Sequence, residues 1–213
     1  MNTAPDVVVL DGGAGGLTAA SQAKRMGASV KLVADGPLGG DCTHTGCVPS
    51  KTLIAAAARG DDFETAITTV HATIDRIAAT EDADHLTRVG IEVARGRARL
   101  TSATTVDVDG TTLRCNRIII ATGARSSLPP IPGLASVSPL TNESVFDMTS
   151  LPPSLLIIGA GAIGCELAQA FARFGTTVTL LDSQTESWPV KSPRHRRWST
   201  QPCDAPVSTS NSG

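Results

Sequence analysis

The sequence predicts an α/β fold that contains two strand–glycine turn–helix–strand units. The first unit starts with the short apolar run at residues 7–10, and the second starts with the run at residues 155–158. Apolar, β-branched runs of this length are typical of buried parallel strands. A glycine-rich turn follows each run at once, and residues with helical spacing follow each turn. This order of elements indicates a dinucleotide-binding type of domain.

The first glycine turn departs from the dinucleotide-binding fingerprint at two positions. When strand and helix are aligned, the first glycine of the fingerprint falls on Asp11, and the next two fall on Gly13 and Gly16. The acidic residue that holds a ribose falls on Ala34, with Asp35 next to it. A carboxylate at position 11 is unfavourable beside a pyrophosphate unless it points away. A glycine-rich turn that binds no ligand therefore stays open as an alternative.

Two cysteines, Cys42 and Cys47, lie five positions apart in a segment rich in glycine. In one regular helix their Cα atoms would be roughly 7–8 Å apart along the axis, which is too far for a disulfide. Either the two are unpaired, or Cys42 precedes the helix and Cys47 lies in its first turn, as Gly46 and Pro49 favour. Lys51 is one turn beyond Cys47, and a thiol at a helix start near a lysine has a lowered pKa. The segment predicts a redox dithiol.

The stretch between the two units predicts a helix followed by several short strands. Apolar residues at helical spacing predict an amphipathic helix over residues 63–77. From residue 91 to residue 115 the period changes to two, with a turn at Asp109 and Gly110.

A further buried strand over residues 118–120 ends on the small residues Ala121, Thr122 and Gly123. Small side chains at the carboxyl end of a strand let the backbone approach a ligand, and this is where open α/β sheets bind. The strand end is a second indication of a ligand site.

The second glycine turn is a complete G-x-G-x-x-G over residues 159–164, and Asp182 ends the strand that follows its helix. An acid in that place hydrogen-bonds a ribose 2′-hydroxyl and repels a 2′-phosphate, so NAD is preferred over NADP. Beyond it, residues 183–213 hold both tryptophans and show no period of two or 3.6. We expect this tail to be disordered, and our hypothesis is that it comes from a truncation or frameshift.

Composition excludes several classes of protein. With a net charge of −2, four Phe, two Trp and no Tyr, the chain offers neither a basic face nor a stacking surface for nucleic acid. No apolar run approaches the ~18–20 residues of a membrane span, and no signal peptide is recognisable. Five irregularly spaced cysteines do not suggest a secreted disulfide framework. We expect a cytoplasmic protein without a membrane or nucleic-acid partner.

These motifs together resemble the FAD-dependent pyridine nucleotide-disulfide oxidoreductases. Residues 39–51 are similar to the redox-active disulfide signature of the family, residues 121–123 to its second flavin-contacting segment, and residues 159–166 to its NAD(P)H fingerprint. Asp41 and the Pro-Ser-Lys ending of the signature are closer to mercuric reductase and dihydrolipoamide dehydrogenase than to glutathione reductase. The resemblance covers about residues 5–182.

The resemblance implies a domain plan. Residues 1–148 would form a three-layer ββα, Rossmann-like FAD-binding domain that carries the redox disulfide. Residues 149–182 would form the first βαβ unit of an NAD(P)-binding Rossmann-like domain, and residues 183–213 would be a divergent tail.

The resemblance also implies roles for individual residues. Electrons would pass from NAD(P)H through FAD to a Cys42–Cys47 disulfide, with Cys47 facing the flavin, Cys42 as the exchange thiol, and Lys51 beside the flavin ring. The substrate would be a disulfide, a dithiol or a metal ion. The FAD contacts would be Gly13, Gly16, Gly40, Asp41, Ala98, Ala121, Thr122 and Gly123. The nicotinamide nucleotide would meet Gly159, Gly161, Ile163, Gly164, Glu166 and Asp182.

Segments that the family carries further on are not recognisable in this sequence. They complete the NAD domain and supply a dimerisation domain whose His–Glu pair takes a proton from the exchange thiol across a homodimer. We therefore expect no full turnover by this chain alone. Two alternatives stay open: a non-catalytic dinucleotide-binding remnant, and a small metal-binding module built on Cys42, His44 and Cys47.

Overall fold

The computed structural model describes residues 4–182 and a strand at residues 208–211. The chain forms two compact units. The first unit consists of residues 1–48 and 73–143, and the second of residues 49–72 and 144–213.

Both predicted strand–glycine turn–helix–strand units are present, as β1-α1-β2 and β8-α6-β9, with helices and then strands between them. The first part of the chain contains β1 (Val7–Leu10), α1 (Ala14–Arg25), β2 (Val30–Ala34), α2 (Gly40–His44), α3 (Cys47–Arg59), α4 (Phe63–Ala78) and α5 (Ala83–Arg88). The strands β3 (Ile91–Arg95), β4 (Ala98–Ser102), β5 (Thr105–Val108), β6 (Thr111–Arg114) and β7 (Arg117–Ile120) follow. The remaining elements are β8 (Ser154–Ile158), α6 (Ala162–Arg173), β9 (Thr177–Asp182) and β10 (Ser208–Asn211).

The first unit is built on a four-stranded parallel sheet in the order β3-β2-β1-β7. Successive side chains of β1 point to opposite faces of the sheet. Val9 packs in a core that contains Ala20 of α1, whereas Val8 and Leu10 pack in a core that contains Val106 of β5. Because both faces are covered, β1 is apolar throughout. The layers are helix, parallel sheet and the antiparallel sheet β4-β5-β6, which confirms the three-layer ββα prediction.

The antiparallel sheet contains the predicted turn. Asp109 and Gly110 join β5 to β6 with φ angles of 46° and 86°, and Val108 pairs with Thr111. Two positive φ values in a two-residue connection define the type I′ turn that suits the strand twist of a hairpin. The backbone N–H of Gly110 also donates to the Asp107 carboxylate at 3.1 Å.

The short helix α5 was not predicted from the sequence. Its six residues are too few to show a helical period, but Asp82 marks its start by accepting a hydrogen bond from the backbone N–H of His85 at 2.6 Å. Such side-chain capping satisfies an amide that the helix cannot pair itself. The capping residue therefore indicates this helix where the spacing of apolar residues does not.

The second unit contains a three-stranded parallel sheet in the order β10-β9-β8, with α6 connecting β8 to β9. Residues 49–72, expected in the first domain, belong to this unit. Aromatic packing accounts for that difference, since the Phe63 ring lies 5.8 Å from Phe171 and 5.5 Å from Phe174.

β10 differs from the expectation of a wholly disordered tail. Its residues Ser208–Asn211 pair in parallel with β9, whose open edge presents unpaired backbone groups. Pairing of this kind depends on the edge and not on a period in the strand itself, so the sequence did not show it. The rest of the predicted tail, residues 183–207 and 212–213, lies outside the described residues.

The two glycine turns have the same backbone geometry. Asp11 has a φ of 80° and its backbone N–H donates to Val33 at 2.7 Å; Gly159 has a φ of 108° and donates to Leu181 at 2.7 Å. Asp11 therefore stands where the second turn has a glycine, as the alignment predicted. A left-handed backbone costs a residue with a side chain on the order of 1 kcal/mol or more, which glycine avoids.

The third glycine of each turn allows the helix to meet the strand. A Cβ on Gly16 would overlap the carbonyl oxygen of Asp11, and a Cβ on Gly164 would overlap that of Gly159. Gly15, by contrast, has space, because its nearest neighbour would be the Ala121 Cβ at 3.9 Å. Gly16 therefore serves packing within the turn, while Gly15 is free to vary.

This contrast leads to a prediction about stability. Gly16→Ala should lower the free energy of unfolding by about 2–3 kcal/mol, because backbone must move to admit the new methyl group. Gly15→Ala should leave that free energy unchanged or raise it by up to about 1 kcal/mol, since alanine is the better helix former. Urea unfolding followed by circular dichroism measures both. Equal effects of the two substitutions would contradict the packing role of Gly16.

Candidate active site

A cleft of about 1070 Å³ opens in the first unit at the carboxyl ends of β1, β2 and β7. Its walls come from the turn after β1, the end of β2, the cysteine segment, the β3–β4 connection, the end of β7 and Glu143. The volume lies at the upper end of the range of small-molecule sites, as an extended ligand requires. Open parallel sheets bind ligands at this edge.

The residues that the resemblance assigns to FAD meet in this cleft, with Gly16 as the exception. Gly16 is buried beneath the turn, where it serves packing. The assigned residues that line the cleft are Gly13, Gly40, Asp41, Ala98, Ala121, Thr122 and Gly123. The sequence therefore identified residues that are distant along the chain and close in the structure.

A contact between two glycine pairs joins the cysteine segment to the first glycine turn. The backbone N–H of Gly39 donates to the carbonyl of Gly12 at 2.8 Å, and Gly13 and Gly39 form an isolated parallel bridge. A Cβ on Gly40 would lie only 2.8 Å from the Cα of Gly13. Backbones approach this closely only where side chains are missing. The two pairs therefore fix the cysteines next to the turn.

Cys42 and Cys47 lie on different helices. Cys42 is in the short helix α2, and Cys47 is the first residue of α3, so the prediction of a lead-in followed by a helix start is confirmed in outline. Both are thiols, and the Cys42 thiol is hydrogen-bonded to Cys47. Cys42 is half-buried and lines the cleft, whereas Cys47 is exposed and is not among the described residues that line it.

Burial raises the pKa of the Cys42 thiol above its ordinary value. A side-chain hydrogen bond with Cys47 and the charge of Cys47 raise this pKa further, whereas a backbone hydrogen bond from Cys47 lowers it. The carboxylate of Glu81 adds the smallest of these contributions and raises the pKa. Two adjacent sulfurs cannot both ionise without repulsion. At neutral pH Cys42 is therefore held in the thiol form.

Carboxylates and guanidinium groups share the cleft. Asp11 lines it from the turn after β1. Ala34 is buried in the core, and Asp35, one position later, is exposed and lines the cleft. Arg97 and Arg125 line it as well. Arg95, Arg97 and Arg99 alternate in the sequence, which predicts an exposed strand face and not a cleft. Arg125 lies outside the regular elements, and no period marks it.

The second glycine turn is complete in the structure. Gly161 immediately precedes α6 and has no side chain to cap its amides. Asp182 ends β9, and its carboxylate accepts a hydrogen bond from the backbone N–H of Ala160 at 2.6 Å. Ile163 in the first turn of α6 is 58% exposed. The predicted nicotinamide-nucleotide residues of this turn are thus grouped at one strand–helix junction.

Lys51 and Glu166 form an ion pair within the second unit. The Lys51 ammonium lies 2.7 Å from both carboxylate oxygens of Glu166, and the buried Ser50 hydroxyl donates to the same carboxylate at 3.3 Å. The Lys51 side chain is 60% exposed, so the pair stabilises the fold by at most about 1 kcal/mol. The sequence singled out both residues without predicting that they meet.

The metal-binding interpretation finds no support in the described part of the chain. The Nε2 atom of His44 lies 2.9 Å from the carbonyl oxygen of Leu38, a local backbone contact. Within residues 4–182, no cluster of three or more His, Cys, Asp or Glu side chains is arranged to hold a metal ion. The same described residues contain no helix that is long and apolar enough to cross a membrane.

Comparison with known proteins finds relatives in the family that the sequence motifs resemble. The chain is 32% identical over 193 residues to mercuric reductase from Lysinibacillus sphaericus, and 35% identical over 193 residues to glutathione reductase from Burkholderia cepacia. Each alignment covers 83% of this chain. The structure is similar, with a TM-score of 0.83 and 26% identity, to a cysteine-to-serine mutant of the HOCl-induced flavoprotein disulfide reductase RclA from Escherichia coli in its Cu(II) complex.

The chain spans only part of these relatives. It covers 35% of the mercuric reductase, 42% of the glutathione reductase and 49% of RclA, whose structure aligns with 99% of this chain. The sequence matches the family model of the pyridine nucleotide-disulphide oxidoreductases over residues 5–202. The chain belongs to the pyridine nucleotide-disulphide oxidoreductase family.

Proposed function

We propose that this chain forms the FAD-binding and redox-dithiol part of an NAD(P)H-dependent flavoprotein reductase. The observation that carries the proposal is the single cleft that brings the first glycine turn, the cysteine segment and the end of β7 together. The substrate class is a small disulfide or a metal ion that accepts electrons from thiols. The similarity to mercuric and glutathione reductases supports this class without choosing between its members.

The residues of the cleft fit an extended dinucleotide with one exception. Gly13 precedes α1 and leaves the first amides of the helix open, which suits a pyrophosphate. The glycine at position 40 and the small residues Ala121, Thr122 and Gly123 let a flat ring approach the backbone. Asp11 is the exception, because it places a negative charge near the phosphates. FAD, when bound, supplies two-electron transfer between a nicotinamide and a disulfide.

The two cysteines carry out the exchange with substrate. We assign the attack to Cys42, whose thiolate displaces one sulfur of a disulfide substrate and forms a mixed disulfide. Cys47 then attacks the Cys42 sulfur, which forms the Cys42–Cys47 disulfide and releases the second substrate thiol. Two electrons and two protons reach the substrate for each disulfide that forms here. The hydrogen bond between the sulfurs supports this sequence, because it puts them within reach of each other.

In the proposal the second glycine turn binds the electron donor. Gly159, Gly161 and Gly164 form the turn, and Asp182 stands where a ribose hydroxyl needs an acceptor. Its charge disfavours a 2′-phosphate, so NADH is the expected donor. Lys51 and Glu166 are assigned to the flavin and nicotinamide on the family resemblance.

Asp11 favours a second candidate function, a dinucleotide-binding remnant without catalysis. It combines a left-handed backbone with a carboxylate in the cleft. The carboxylate disfavours a bound pyrophosphate, whereas the left-handed backbone, which the second turn shares, costs stability alone. Whether the chain takes up FAD separates the two functions.

FAD uptake is the first test. The purified chain should be yellow after incubation with FAD and should bleach with NADH. Asp11→Asn removes the charge and keeps the side-chain size, so it should tighten FAD binding by about tenfold. Asp11→Gly should do the same and also relieve the backbone. Quenching of flavin fluorescence measures the affinity.

Asp75→Asn is the matched control, because Asp75 is exposed on α4 and should leave FAD affinity unchanged. If neither the natural chain nor the Asp11 variants take up FAD, the remnant is the correct interpretation. Weaker binding by Asp11→Asn would show instead that the carboxylate is a ligand.

The second test assigns the roles of the cysteines. In the FAD-loaded chain, Cys42→Ser should abolish exchange with a chromogenic aromatic disulfide and leave reduction of the flavin by NADH intact. Cys47→Ser should still release one thiol and stop at the mixed disulfide. Cys115→Ser, at a buried thiol outside the cleft, is the control and should behave like the natural chain. Exchange that survives Cys42→Ser and disappears in Cys47→Ser would reverse the roles, as the exposure of Cys47 would permit.

A further inference from the structure

Thr43, the residue next to Cys42, has a fixed partner far away in the sequence. Its side chain is buried, with 2% of its surface exposed, and its hydroxyl donates to the Glu81 carboxylate at 2.8 Å. A buried hydroxyl needs such a partner, and a hydrogen bond to a charged acceptor is among the stronger ones. The bond ties α2 to the turn between α4 and α5.

Gly39 makes room for this carboxylate. A Cβ on Gly39 would overlap a carboxylate oxygen of Glu81 and would lie 2.6 Å from the Thr43 hydroxyl. Gly39 also has a φ of 92°, which favours glycine. The glycine before α2 thus serves two contacts, one with the turn after β1 and one with Glu81.

The backbone at Glu81 is itself held in place. Its N–H donates to the carbonyl of Ala78 at the end of α4 at 3.0 Å. The next residue, Asp82, caps α5. The carboxylate therefore extends from a turn with helices on both sides, and its approach to α2 is set by the fold.

Charged and titratable groups from several elements lie around Cys42. Cys47 of α3 and Glu81 of the α4–α5 turn act on its sulfur. Asp41 and His44 belong to the same short helix. The other charged groups that line the same cleft are Asp11, Asp35, Arg97, Arg125 and Glu143. Glu81 differs from the other carboxylates because it both bonds to α2 and acts on the Cys42 sulfur through its charge.

We infer that Glu81 is a positioning residue for the exchange thiol: it anchors α2 through Thr43 and holds a carboxylate against the residue next to Cys42. The inference deepens the proposed function, because it assigns a control of reactivity to the same site. The anchor keeps Cys42 within reach of Cys47. The charge slows attack by Cys42 at neutral pH and limits its reaction with indiscriminate electrophiles.

The charge is tested by alkylation of Cys42 with iodoacetamide as a function of pH, with the modified cysteine identified by mass spectrometry. Glu81→Gln keeps an oxygen that accepts from Thr43 and removes the charge. The rate at Cys42 should rise about twofold to fivefold at neutral pH, and the pH midpoint should fall. The difference should become smaller in about 1 M salt, which screens half-buried charges in part and leaves hydrogen bonds.

The anchor is tested separately at Thr43. Thr43→Val removes the donor at nearly the same shape, and the rate at which diamide oxidises the Cys42–Cys47 pair should fall at least about fivefold. Thr43→Ser keeps the hydroxyl and should retain the natural rate. Asp75→Asn, at an exposed carboxylate on α4, should change neither reaction.

Three outcomes would overturn the inference: an unchanged pH midpoint in Glu81→Gln, an equal change in Asp75→Asn, or an equal loss of oxidation rate in Thr43→Ser and Thr43→Val. If Glu81→Gln does not fold, Glu81→Asp takes its place, because it keeps the charge and draws it back from α2. A Cys42 rate and oxidation rate equal to those of the natural chain would then contradict the inference. Neither the alkylation nor the oxidation needs FAD or NADH. A chain that fails to bind FAD would therefore still give a result on the role of Glu81.

Discussion

The contact between Gly12 and Gly13 on one side and Gly39 and Gly40 on the other is the constraint on which the rest of the site depends. Four residues without side chains bring two backbones together, with a 2.8 Å hydrogen bond from Gly39 to Gly12. The glycine turn faces the ligand cleft, and the cysteine segment continues from the contact. The same contact therefore sets the distance between the first glycine turn and the two cysteines.

The second glycine turn provides an internal standard for the first. In each turn the first residue donates a backbone hydrogen bond to the neighbouring strand, and its carbonyl packs against the third glycine of the fingerprint. The backbone geometry is therefore preserved at Asp11 even though the residue is not glycine. The cost of that departure lies in the left-handed backbone and in the charge. Asp35 lines the cleft one position after Ala34, the position at which the fingerprint has its acidic residue.

The two cysteine thiols have different surroundings. Cys42 is half-buried between Cys47 and the Glu81 carboxylate, and its pKa is raised. Cys47 is exposed at the start of a helix. A pair with unequal surroundings suits stepwise exchange, in which one sulfur meets the substrate and the other resolves the mixed disulfide. Glu81 and Thr43 show that the surroundings of the pair extend well beyond the cysteine segment.

By itself, the sequence determined the α/β class, both glycine turns and the cysteine segment, because each is marked by a local pattern of apolar runs, glycines or spacing. It also located the departure at Asp11. The family resemblance added part of the cleft lining and missed Arg97 and Arg125. Only the tertiary structure decided the pairing of Thr43 with Glu81, of Lys51 with Glu166 and of β10 with β9. The same holds for residues 49–72 in the second unit. The physical reason is that these contacts join residues far apart in the chain, and no local period records which surfaces will meet.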